Sequence, residues 1–295
     1  MEAQHDPFHP SPRPPARRRR CRRRRAPRRL HVLARSGGDH RAGPSGALPF
    51  ESGTIVAMGD SMTAAVAACG QDKACPSASW ATGEDETVDS IARRAGETVG
   101  AVPTIDNIAS KGATSDRMPL QAEKAVAADP DLVLLLIGAN DVCRKKVAEI
   151  TPPDTFRAAI ASTLQTLSAG SPDATVFVAS IPDLLAFFDA ERTDSEAVSR
   201  WAQSPNCNSL LYNPASDADE DVARRAAVGD TIDEYNTILA EECAAVANCV
   251  SDGGALHSMP VTSDDISLVD HFHPSIQGQG KIADALWPAL LANAG

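Results

Sequence analysis

Apolar residues in this chain gather in short unbroken runs, and longer stretches of helical period separate them. Thr54–Met58 ends at Gly59, Leu132–Ile137 lies between Pro130-Asp131 and Gly138, and Thr175–Ser180 lies between Pro172-Asp173 and Pro182. Ile105–Ile108 and Cys249–Ser251 are shorter candidates of the same kind. A run that is apolar on both faces suits a strand buried in a parallel sheet. Between the runs, Thr87–Gly100 places Val88, Ile91, Ala92 and Ala95 on one face, and Asp154–Ser168 spaces Phe156, Ile160, Leu164 and Leu167 at a helical period behind Pro152-Pro153. Asp116–Ala128, Asp221–Ala247 and Ser275–Ala292 read as three more helices. The segments Gly70–Glu86 and Ala186–Asp219 read as loops.

Strand and helix in alternation predict an α/β fold, a three-layer α/β/α sandwich around a central parallel sheet of about five strands. No internal repeat interrupts it. In such sheets, ligands bind beyond the carboxyl ends of the strands, and three of the predicted strand ends carry polar clusters. Gly59-Asp60-Ser61-Met62-Thr63 follows the first run and leads into an Ala-rich stretch, so Ser61 is expected where a buried strand turns into a helix. Its N–H would then face the site from a helix N-terminus. Asn107-Ile108-Ala109-Ser110-Lys111-Gly112 follows the second run, and Gly112 lets backbone approach a ligand. Gly138-Ala139-Asn140-Asp141 follows the third; Asn140 aims an amide at the crevice and Asp141 holds the loop. Near the carboxyl terminus, Asp270-His271-Phe272-His273-Pro274 lets one tight turn bring Asp270 to the His273 ring, leaving Nε2 free as a base. Taken singly, each cluster has a plainer reading: Ser61 as a helix cap, the others as ordinary turns, and His271 with His273 as a metal pair.

Composition sharpens the boundaries. Residues 1–45 hold 13 Arg against Glu2, Asp6 and Asp39, with four prolines between residues 10 and 15. Charge of this density without an apolar face predicts a disordered tail ahead of a domain spanning residues 46–295. The tail also fits a misassigned start, because it lacks the apolar stretch of a signal peptide; a basic arm for nucleic acid is the alternative. The remainder has 15 Lys and Arg against 36 Asp and Glu, an acidic body that the phosphate backbone repels. No nucleic acid partner is expected for it, and no apolar run reaches the ~20 residues of a membrane span. Six cysteines follow Cys21. Cys69 to Cys75 and Cys243 to Cys249 have the spacing of local staples, leaving Cys143 to Cys207. An even count points to disulfides and an oxidising, extracellular setting. Reduced core thiols are the alternative; zinc is disfavoured because C-x-x-C is absent.

The four blocks G-D-S, N-x-A…G, G-x-N-D and D-x-x-H-P stand in this order over residues 54–292, and the set resembles the SGNH (GDSL) hydrolase family. Lys111 departs from the small residue usual before the family's glycine. The cysteines and Ser79-Trp80-Ala81-Thr82-Gly83 are similar to a secreted actinobacterial branch with phospholipase-B-like members. The resemblance implies a flavodoxin-like fold and a serine esterase acting on lipid or short-chain acyl esters. It implies Ser61 as nucleophile, His273 as base, Asp270 as its orienting partner, and Ser61, Gly112 and Asn140 as oxyanion donors. A secreted monomer without metal or organic cofactor follows. Carbohydrate O-acetyl hydrolysis and acyl transfer are alternatives on the same site, and a non-catalytic secreted binding protein is an alternative of another class.

Overall fold

A computed structural model of the chain describes residues 53–292. The expected tail, residues 1–45, lies outside the described residues. In chain order the principal elements are β1 (Thr54–Gly59), α1 (Ile91–Val99), β2 (Thr104–Asn107), α2 (Met118–Ala127), β3 (Leu132–Leu136), α3 (Ala139–Val142), α4 (Pro153–Gly170), β4 (Thr175–Val178), α5 (Leu184–Glu191), α6 (Ser195–Ala202), α7 (Asn208–Leu211), α8 (Asp219–Ala244), β5 (Cys249–Ser251) and α9 (Ile276–Ala292).

The strands pair in the order β2-β1-β3-β4-β5, all parallel. The step from β1 to β2 runs one way across the sheet, and every later step runs the other way. Crossovers between parallel strands are right-handed, so reversing the direction moves the connecting helices to the opposite face. Accordingly α2, α4 and α8 pack side by side in one layer, while α9 comes back to pack beside α1. This is the α/β/α sandwich that the apolar runs predict. The reversal lies at β1, and the crevice beyond β1 and β3 is where such folds place their sites.

β1 and β3 are apolar because both faces are covered; Ile55–Met58 and Leu132–Leu135 are fully buried. In the helical layer, Phe156 of α4 stacks on Tyr235 of α8 with ring centroids 3.9 Å apart. β2 differs from the buried strand expected at Ile105–Ile108: it is the sheet edge, and Thr104, Ile105 and Asp106 are exposed. Disulfides join Cys69 to Cys75, Cys143 to Cys207 and Cys243 to Cys249. Among the described residues, no helix is long and apolar enough to cross a membrane.

Two expectations require correction. The segment after Ser61 is a chain of turns rather than a helix. Ala64 N to Asp60 O is its one α-helical bond; Ala65 N turns to Met62 O and Val66 N to Ser61 O, and Ala65 and Ala67 take left-handed backbone angles of φ 50° and 66°. The 69–75 disulfide loop draws the segment away from helical pairing: Cys75 N donates to Ala64 O, and Ala67 N donates to Lys73 O. In addition, 186–219 is not loop throughout. It carries most of α5 and all of α6 and α7, with α5 and α6 capped by Asp183 and Asp194.

Candidate active site

Ser61 stands immediately beyond the end of β1, at 5 % exposure. Gly59 ends that strand at φ 134°, and a β-carbon there would lie 2.1 Å from the Leu136 carbonyl on β3. The glycine thus lets the chain leave β1 hard against its neighbour, which fixes where Asp60 and Ser61 emerge. Gln121 of α2 grips both backbone groups of Gly59: its Oε1 accepts from Gly59 N at 2.8 Å and its Nε2 donates to Gly59 O at 3.0 Å. Gln279 of α9 does the same across a gap, accepting from Trp80 N and donating to Met62 O, each at 2.9 Å.

His273 lies in the turn before α9. Its Nε2 is 2.8 Å from Ser61 Oγ, and its Nδ1 is 2.6 Å from Asp270 Oδ2. The other Asp270 oxygen accepts from the backbone N–H groups of Phe272 and His273 at 3.1 and 3.0 Å. Burial would raise the Asp270 pKa, but the hydrogen bonds and charge of His273 outweigh it and hold the carboxyl below its ordinary range. The structure therefore brings Ser61, His273 and Asp270 into one hydrogen-bonded line. His271 does not share this site. Its ring turns the other way, to Glu191, so the two histidines do not converge on one metal position.

The second and third blocks meet the first through hydrogen bonds. Ser110 N donates to Gly59 O at 3.1 Å, tying the Gly112 loop to the end of β1. Gly112 takes φ 78°, inside a turn closed by Ala113 N to Ser110 O. Asn107 Nδ2 faces Thr63 O, Ser79 Oγ and Thr82 Oγ1 within 3.1 Å, so the end of β2 is sewn to the nucleophile segment. Asn140, in the first turn of α3, donates to Ala113 O at 3.0 Å. Its neighbour Asp141 is fully buried and accepts from both the backbone N–H and the hydroxyl of Ser115. Burial nevertheless pushes the Asp141 carboxyl above its usual range, against those bonds. Lys111 is paired at the rim with Asp72 at 2.5 Å, so its charge has a partner in the 69–75 loop.

Several residues that build the site gave little warning in the sequence. Asp60 was only the middle of a motif; it is 1 % exposed, accepts from Met62 N at 2.9 Å and meets the Asn140 amide at 3.3 Å. Burial pushes its carboxyl up to about 7, and the Met62 hydrogen bond and the charge of His273 only partly oppose this. Gln121 and Gln279 were detectable only as polar residues on apolar helix faces, beside Met118 and Ala122 and beside Ile282 and Ala283. A line of hydroxyl, imidazole and carboxylate with amide donors nearby is an arrangement able to transfer an acyl group.

A search of curated proteins gave no match. Among solved structures, the fold is similar to a protein described as a GDSL-like lipase from Parabacteroides merdae (15% identity, 84% of this chain, 99% of that chain, TM-score 0.50). It is also similar to the lipase Lip_vut3 from a goat rumen metagenome (12% identity, 80% of this chain, 96% of that chain, TM-score 0.50). At these identities the likeness speaks for the fold alone. The family model described as GDSL-like lipase/acylhydrolase matches residues 55–286, from β1 into α9. With that match spanning most of the chain and all four polar blocks, the protein belongs to the GDSL-like lipase/acylhydrolase family and is a carboxylic ester hydrolase.

Proposed function

We propose that the protein hydrolyses lipid or short-chain acyl esters by a double displacement on Ser61, with His273 as the base and Asp270 as its orienting carboxylate. The observation that carries this reading is the continuous line Ser61 Oγ–His273 Nε2, 2.8 Å, and His273 Nδ1–Asp270 Oδ2, 2.6 Å. The Ser61 proton passes to Nε2 as Oγ bonds to the ester carbonyl carbon, and the carbonyl oxygen becomes an oxyanion. Nε2 then returns the proton to the departing alcohol oxygen as the ester C–O bond breaks. Water enters, gives its proton to Nε2 and attacks the acyl-enzyme; collapse releases the acid and restores Ser61. Asp270 stabilises the imidazolium in each half.

The oxyanion is received by the N–H of Ser61, the N–H of Gly112 and the side-chain amide of Asn140. Support comes from the joining of the three loops that carry these groups by the Ser110–Gly59 and Asn140–Ala113 hydrogen bonds. Every group comes from one chain, so a monomer suffices. Three disulfides support a place of action in an oxidising compartment outside the cell.

The test is steady-state hydrolysis of p-nitrophenyl esters of rising acyl length, together with a phospholipid, by the parent and by Ser61→Ala. Loss of all turnover in a normally folded S61A protein is expected. Full activity in that variant would overturn the mechanism, and strict acetyl preference in the parent would replace the lipid reading with that of an O-acetylesterase.

A further inference from the structure

Glu191 and His271 form a buried acid–imidazole pair that the catalytic line does not use. Glu191 Oε2 lies 2.7 Å from His271 Nδ1, and both side chains are about 95 % covered, with 5 % and 4 % exposure. Withdrawing a carboxylate and an imidazole from water is costly, and an apolar pair of similar volume is often no less stable. Such a pair therefore calls for a reason beyond stability, and its position supplies one.

His271 sits between Asp270 and His273, at φ 57°, in the left-handed region that a residue with a β-carbon seldom adopts. That reversal at one residue turns the chain so that Asp270 faces the N–H groups of Phe272 and His273 and the His273 ring together. The loop is closed on itself: Ile266 bridges to Pro274, Ser267 N donates to His273 O at 2.8 Å, and His271 N donates to Ser267 O at 2.8 Å. Ser267 Oγ also donates to Ala67 O at 2.8 Å, which ties the loop to the segment after Ser61. What holds the strained residue comes from α5 and α6. Glu191, the last residue of α5, takes the ring, and Trp201 of α6 donates its indole N–H to the His271 carbonyl at 3.2 Å. Phe188 and Trp201 stack at 5.9 Å, fastening α5 to α6.

We propose that Glu191 and His271 are positioning residues: their hydrogen bond locks the left-handed turn that sets Asp270 and His273 in register with Ser61. Asp194 is also within ligand range of the pair, but it is exposed, and its Oδ1 accepts from the N–H groups of Glu196 and Ala197 as the cap of α6. The inference rests on the reading of His273 and Asp270 as base and orienting carboxylate.

Glu191→Leu, His271→Asn and Glu191→Gln test it in the full-length protein, alongside Ser61→Ala. Asn tolerates left-handed backbone, so H271N removes the ring without opposing the turn. Rates are normalised to active sites titrated with a fluorophosphonate that labels Ser61. Small displacements of a catalytic group are expensive, so E191L and H271N are expected to lose kcat by about tenfold or more with KM within about twofold. The E191L/H271N double variant is expected to fall no further than the worse single one. E191Q keeps an acceptor for the ring N–H and is expected to remain within about threefold of the parent. The proposal is overturned by folded E191L and H271N proteins with parental kcat, by additive losses, or by E191Q falling as far as E191L. Should E191L not fold, H271N decides on the same criterion. If S61A retains activity, the catalytic reading itself fails; if S61A is inactive while H271N is normal, only this inference does.

Discussion

The Asn140 side-chain amide stands 3.3 Å from Asp60 Oδ2 while donating to Ala113 O at 3.0 Å. Both N–H bonds of the amide thus have acceptors within the protein, the longer of them to a buried carboxyl. On the proposed mechanism, an oxyanion forming on Ser61 would compete with Asp60 for that N–H.

The raised pKa of Asp60 has a thermodynamic sign. Its folded value, about 7, lies above the unfolded value near 4, so the group favours the folded state fully below about pH 4, and that contribution is lost as pH rises toward about 7. Asp60→Asn has no such dependence. Urea denaturation at pH 5 and pH 8 should show the stability of the parent relative to D60N falling by on the order of 2 kcal/mol at the higher pH. A gap that stays constant would mean that Asp60 does not titrate in this window.

Removing the amide donor itself should act on the rate. Asn140→Ala is expected to lower kcat by roughly 10²–10³ with KM little changed, the range typical of an oxyanion donor. Steady-state kinetics on a p-nitrophenyl ester would check this, and a loss below about tenfold would take Asn140 out of that role.

Asp270 and His273 should separate in magnitude. On the proposed mechanism, Asp270→Ala leaves the base in place but unaligned, whereas His273→Ala removes it. H273A is therefore expected to be the slower enzyme, with D270A down by on the order of 10²-fold or more. The reverse ranking would assign the base elsewhere.

Gly59→Ala probes the crowding at the end of β1. The added β-carbon would meet the Leu136 carbonyl at 2.1 Å, at a φ of 134° that alanine rarely adopts. A stability loss of roughly 3 kcal/mol is expected in urea, with a matching loss of kcat because Ser61 is two residues on. An unchanged denaturation midpoint would show that the strand end yields easily.

Strands are legible in the sequence where burial is symmetric. β1, β3 and β4 are covered on both faces, so their composition is apolar throughout and their ends fall next to glycine or proline. β2 was shorter and fainter because Ile105, at 48 % exposure, is on an edge. α5 went unrecognised because Leu184–Glu191 is apolar on nearly every side and shows no stripe; α6 has only Ala197 and Trp201 to face inward. The helix expected after Ser61 failed for a reason no local pattern holds: the 69–75 loop competes for its backbone groups. Gln121 and Gln279 are equally non-local, each bonding backbone far along the chain, at separations of 62 and 217 residues. Ser61, Gly112 and Asn140 follow β1, β2 and β3, whose carboxyl ends lie side by side in the parallel sheet, so these blocks were expected at one edge; Asp270 and His273 follow no strand end and were marked by their own spacing ahead of α9.

The Cys143–Cys207 disulfide encloses β4, α4, α5 and α6, including the helices that hold His271. A protease that cuts one peptide bond between these cysteines leaves two pieces still joined by sulfur. The nicked protein would run as an intact chain on a non-reducing gel and divide only after reduction. Retained activity in such a preparation would report on the packing of α5 and α6, and not on continuity of the chain that builds them.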